Sequence, residues 1–128
     1  MVSKNLRTWF VIHFIADFLF GIPLLIAPVW MLTIFGWPSI DPFTARLVGA
    51  ALIGIGGESL LGRNANAGTF RAMLNLKLLW ASTAIIGMAA TMLTGNYPLI
   101  GWGIVGIFVV FFIVWFYYRL QLSEGDRK

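Results

Sequence analysis

The chain has no cysteine and only one histidine in its 128 residues. The first absence excludes disulfides, thiolate metal sites and thiol catalysis, and says nothing of redox compartment. The second argues against any centre built from several imidazoles. Charge is scarce too, at 11% of residues, while 59% are hydrophobic and the mean hydropathy is +0.87. A water-soluble core of this size could not cover so many apolar side chains. The bilayer therefore has to be the solvent. At about 20 apolar residues per crossing, four crossings use most of the chain and leave no room for a separate soluble domain.

Four apolar stretches of membrane length are present, roughly 8–27, 45–62, 70–93 and 99–118. Their continuity excludes a β-barrel, whose strands alternate in and out. The expected fold is an all-α, polytopic four-transmembrane-helix bundle forming a single domain over 1–128. The segment Pro28 to Gly36 is apolar but too short to cross, which predicts a short helix in the interface or kinked off the first span at Pro28. Asp41 and Pro42 read as cap and first turn of the second span. Residues 64–68 (NANAG) form the loop before the third, with Thr69 as its cap, and 95–98 (GNYP) a tight turn into the fourth.

Seven of the nine cations, Lys4, Arg7, Arg63, Arg71, Arg119, Arg127 and Lys128, fall on one side of this arrangement. The positive-inside rule makes that side cytoplasmic, with both termini on it. Arg46 alone stands at the other face, and Lys77 lies inside the third span. Trp9, Trp115, Tyr117 and Tyr118 fit an inner aromatic belt, and Trp30, Trp37, Tyr97 and Trp102 an outer one. The net charge of +4 thus reports topology and contact with anionic lipid, so membrane lipids are expected partners and nucleic acid is not. Lys4 and Arg7 before an apolar run also resemble a signal peptide, but no Ala-x-Ala cleavage pattern follows.

Two motif matches fail on context. Residues 101–106 (GWGIVG) spell the dinucleotide fingerprint, yet lie within a span rather than after a strand. Residues 57–61 (GESLL) lack the closing glycine of a nucleophile elbow. Helix packing explains the small residues better, with Ala50, Gly54 and Gly57 on the second span and Gly103 and Gly106 on the fourth as the expected contact positions.

The ionisable residues inside the spans are the most informative feature. His13, Asp17 and Gly21 share a face at i+4 spacing, Glu58 is one turn from the inner end of the second span, and Asn75 and Lys77 lie two turns into the third. At 1.5 Å per residue His13 and Glu58 fall at roughly 6 Å depth, and Asp17 and Lys77 at roughly 12 Å. Each charge costs ~2.5–3.5 kcal/mol on insertion scales, so the matched depths predict an Asp17–Lys77 ion pair and a His13–Glu58 hydrogen bond. The cluster then reads either as a structural lock or as a cytoplasm-facing site for a polar headgroup, proton or small ligand. His13, Asp17 and Glu58 could supply three metal ligands, but a neighbouring Lys77 opposes a dication, and no metal is expected.

Residues 21–36 (GIPLLIAPVWMLTIFG), Asp41-Pro42 and residues 45–56 (ARLVGAALIGIG) resemble the small four-helix membrane proteins grouped as DoxX-like. The resemblance implies a four-helix bundle, with some relatives tied to membrane oxidoreductase assemblies and quinone. No catalytic motif carries over residue by residue, and the lack of cysteine speaks against a thiol redox role. The reading that results is a non-enzymatic accessory or scaffold subunit that packs on itself, as a homo-oligomer, or on a larger membrane complex. The alternative is a protein that binds a lipophilic molecule, quinone or lipid-like, or conducts protons through His13, Asp17, Glu58, Asn75 and Lys77. No cofactor is specified.

Overall fold

The computed structural model describes residues 1–125, which form helices α1 (Lys4–Ile26), α2 (Pro28–Ile34), α3 (Pro42–Leu61), α4 (Ala67–Thr94) and α5 (Ile100–Gly125). Arg127 and Lys128, two of the cations used above for orientation, lie outside the described residues. Among those residues α1, α3, α4 and α5 are long and apolar enough to cross a membrane. By length and composition the fold is that of a polytopic helical membrane protein. The last helix runs to Gly125, well past the apolar stretch, because Arg119, Gln121 and Ser123 end the hydrophobic run without breaking a helix.

Local chemistry sets the boundaries. Ser3 caps α1 by accepting the Leu6 N–H at 3.2 Å. The helix stops at Ile26 because Pro28 forces Ala27 out of the helical region, to φ −137° and ψ 62°. Pro28 then opens α2 at the position where its missing N–H costs nothing. That short helix closes at Gly36, whose φ of 79° disfavours a Cβ. The closing bonds, Trp37 N–H to Leu32 O and Gly36 N–H to Thr33 O, both 2.9 Å, are the two of a Schellman motif. Asp41 caps α3 as expected, accepting from the Phe43 N–H at 3.1 Å and from the Thr44 hydroxyl. The Thr44 hydroxyl, more than the backbone N–H groups of Phe43 and Thr44, holds its carboxyl below the ordinary value. The cap of α4 is Asn66 rather than Thr69: Asn66 Oδ1 accepts the Thr69 N–H at 2.9 Å. An asparagine three residues upstream of Thr69 fits the same capping spacing and completes the helix one turn earlier.

The chain divides into two compact units, one spanning Ser3–Asn64 and the other taking Ala65 onward together with Met1 and Val2. In the first, α1 and α3 form an antiparallel hairpin. The buried residues of α1 are Leu6, Phe10, His13, Asp17, Gly21 and Leu24, and those of α3 are Ala45, Gly49, Leu52, Gly56 and Ser59. Both series advance by steps of three and four, strictly alternating on α3, the spacing of a narrow helix seam. A Cβ on Gly49 would lie 2.8 Å from the Gly21 carbonyl oxygen and from the Leu25 nitrogen, so backbone meets backbone here. A Cβ on Gly56 would lie 2.6 Å from that of Asp17. Arg7 Nη1 reaches the Arg63 carbonyl at 2.6 Å at one end, and Arg46 Nε reaches the Leu25 carbonyl at 3.1 Å at the other.

The second unit pairs α4 with α5 by other means. Between the helices Trp80 tilts against Phe108 at 6.2 Å and Arg119 Nε donates to Asn75 Oδ1 at 2.8 Å, while within α5 Trp115 and Phe111 stack with centroids 5.7 Å apart. Trp115 is 1% exposed. It is a core residue of the protein.

The positions expected to carry helix packing require correction. Gly54, Gly103 and Gly106 have nothing within 4 Å of where a Cβ would stand, Gly57 meets only the Phe18 ring edge at 4.0 Å, and Ala50 is exposed. The α3 contact uses Gly49 and Gly56 instead. Ala50 and Gly57 keep a three-and-four spacing but each lies one position, about 100° of helix, beyond the Gly49 and Gly56 that make the contact.

Candidate functional site

The polar set of the first hairpin is built from one turn of α1 and the facing turn of α3. His13, Asp17 and Ser59 are buried at 5%, 7% and 0% exposure. His13 Nδ1 lies 3.3 Å from Asp17 Oδ2 and 3.3 Å from Ser59 Oγ. The i+4 spacing on α1 brings His13 and Asp17 together. The missing side chain of Gly56 provides the notch into which Asp17 fits.

The Ser59 hydroxyl gives its one proton to the Ile55 carbonyl at 2.9 Å, so toward His13 it can only accept. A carboxylate likewise accepts. With its proton on Nδ1 the ring donates to Ser59 Oγ, and Asp17 Oδ2 lies beside the same nitrogen at ion-pair distance. Ser59, His13 and Asp17 have the residue types of a nucleophilic triad without its geometry, in which serine and acid meet opposite ring nitrogens. Here both approach the same ring nitrogen, Nδ1. The arrangement can hold helix register and can bind a proton.

Glu58 is not part of this set. It is exposed, and the α3 residue that meets His13 is Ser59, one position on and about 100° around the helix. Matching depths alone selects Glu58, because depth carries no information about azimuth. Asn75 also leaves the cluster. It is exposed, two residues and therefore more than half a helical turn from Lys77, and its partner is Arg119. Arg119 in turn donates to the Ser123 hydroxyl.

Lys77 is 3% exposed, and its Nζ stands 5.2 Å from the centroid of the Trp115 ring. A desolvated ammonium over an indole face gains about 2 kcal/mol, and the stacked Phe111 fixes the plane of that ring. Asp17 and Lys77 belong to different units, and within its own unit each has the neighbours just described. Ser59 and Trp115 are the site residues that sequence reasoning missed. The alternating three-and-four seam through His13 and Asp17 is the signal that points to Ser59, since the same pattern on α3 runs 45, 49, 52, 56, 59. Comparison with known families, curated proteins and solved structures gives no match to this chain.

Proposed function

We propose that this chain is a non-enzymatic membrane subunit that acts by packing on other membrane helices, those of a second copy or of a larger complex. The observation that carries the reading is the contrast among its glycines. Gly21, Gly49 and Gly56 are closed over by the facing helix, while Gly54, Gly87, Gly103 and Gly106 open onto empty space. In lipid, close backbone approach is a principal source of helix association, and small residues permit it. The positive-inside distribution supports an orientation with both termini cytoplasmic, and the resemblance to DoxX-like proteins agrees with an accessory role.

A chain without cysteine allows a direct test. Gly54→Cys and Gly106→Cys, oxidised in native membranes, should give disulfide-linked dimers or adducts with another membrane protein that reductant removes. Only monomer from both variants would overturn the reading.

A second reading, in which the chain conducts protons or binds a quinone or lipid-like molecule, draws support from the His13–Asp17 pair within a span. Membrane-embedded ionisable groups commonly mark function. Its test is proton flux into proteoliposomes holding a pH-sensitive dye. Flux above empty vesicles that disappears in Asp17→Asn would favour this reading over the first.

A further inference from the structure

Arg46 is used by neither the glycine contact nor the buried polar set. It stands one turn into α3 and is exposed, with its Nε–H donated to the Leu25 carbonyl at the end of α1. That bond fixes the guanidinium plane at a helix C-terminus, whose partial negative charge suits a cation. The two Nη groups remain as a rigid donor fork. Among the described residues no carboxylate forms an ion pair with Arg46. Asp41, the acid at this end of α3, has both oxygens engaged by the α3 cap.

The setting is apolar as well as cationic. Ile26, which follows Leu25 on α1, Phe43 and Leu47 on the same end of α3, and Trp30 on α2, which packs on both helices, are all exposed. Arg46 is four residues from the start of α3, about 6 Å of helix, a depth from which a long side chain reaches the headgroups. A cation held in place at that level, without an acid and bordered by exposed apolar side chains, matches an anion that carries acyl chains.

We propose that Arg46 anchors a phospholipid. The Nη fork takes the phosphodiester oxygens, Phe43 and Leu47 meet the acyl chains, and the Trp30 indole lies at the polar boundary where aromatic belts form. The bond to Leu25 O makes the fork preorganised, so little side-chain freedom is lost when the lipid binds.

Native mass spectrometry of the detergent-purified protein tests this with three added probes: dioleoyl phosphatidylglycerol, dioleoyl phosphatidylethanolamine and dioleoylglycerol. Both phospholipids should form one-to-one adducts and the phosphate-free dioleoylglycerol should not. Arg46→Gln, whose amide can still donate to Leu25 O, should weaken the phospholipid adducts about tenfold. Excess inorganic phosphate should leave them in place. Equal adducts in Arg46→Gln, or equal binding of dioleoylglycerol, would overturn the site, and displacement by inorganic phosphate would overturn the lipid as its occupant. If Arg46→Gln does not fold, Arg46→Lys serves: it keeps the charge without the fork, should bind several-fold more weakly, and native-strength adducts would count against the proposal.

Discussion

In the hairpin of α1 and α3 the two helices meet through glycine, and in that of α4 and α5 through indole and phenyl rings. Gly21, Gly49 and Gly56 bring backbone and Cβ atoms into contact, whereas α4 and α5 meet through side chains, Trp80 on Phe108 and Lys77 over the Trp115 ring. The same glycine content thus has opposite consequences. In α3 two glycines are indispensable spacers, and in α5 Gly103 and Gly106 are open to added volume. The polar residues follow the same division: His13 and Asp17 sit in a notch that glycine leaves, and Lys77 lies on a ring face.

The largest effect should come from removing the ring. Trp115→Ala leaves a cavity and strips Lys77 of its indole, and should cost ~3–5 kcal/mol in reversible unfolding in detergent. A loss no greater than that of an exposed residue such as Phe116→Ala would contradict the contrast between the hairpins. Next, Gly49→Val should cost ~1–3 kcal/mol or more, since the added atoms meet backbone, which cannot rotate away. Gly103→Val, in open space on α5, should change stability by under ~1 kcal/mol. Equal losses for the two would mean that the glycines are not divided as described.

The smallest effect sharpens the contrast at a helix end. The Asp41 carboxyl is held below the ordinary value of about 3.9 by the Thr44 hydroxyl and the first backbone N–H groups of α3. A lowered folded-state value means that its contribution is present above the ordinary value and lost as pH falls through the lowered one. Melting temperatures measured from neutral to strongly acidic pH should show this as a small decline below about pH 4 that is absent in Asp41→Asn, whose side chain caps without titrating. An identical acid decline in both proteins would rule Asp41 out as its source.

Much of the fold is legible in the sequence because its determinants are local. Membrane-length runs mark the four long helices, Pro28 marks the break before α2, and Asp41-Pro42 marks the start of α3. Azimuth is harder to read. In a soluble helix the polar face identifies the buried one, but lipid leaves both sides apolar, and α3 has small residues all around at Gly49, Ala50, Ala51, Gly54, Gly56 and Gly57. The row through Ala50, Gly54 and Gly57 then looks as good as the one through Gly49, Gly56 and Ser59. Ser59 is hidden for a related reason: a hydroxyl carries no charge to draw attention to its depth.

The order in which these partners emerge during synthesis has its own consequence. His13 and Asp17 are expensive cargo for a lone span, and the α3 groups that accommodate them, Ser59 and the gap at Gly56, are made about forty residues later. Every partner in the α1–α3 contact exists once Arg63 has been added to the nascent chain. The first helix is therefore a poor candidate to leave the insertion machinery alone, and it should be retained at the translocon until α3 arrives, so that the two enter the bilayer as a pair.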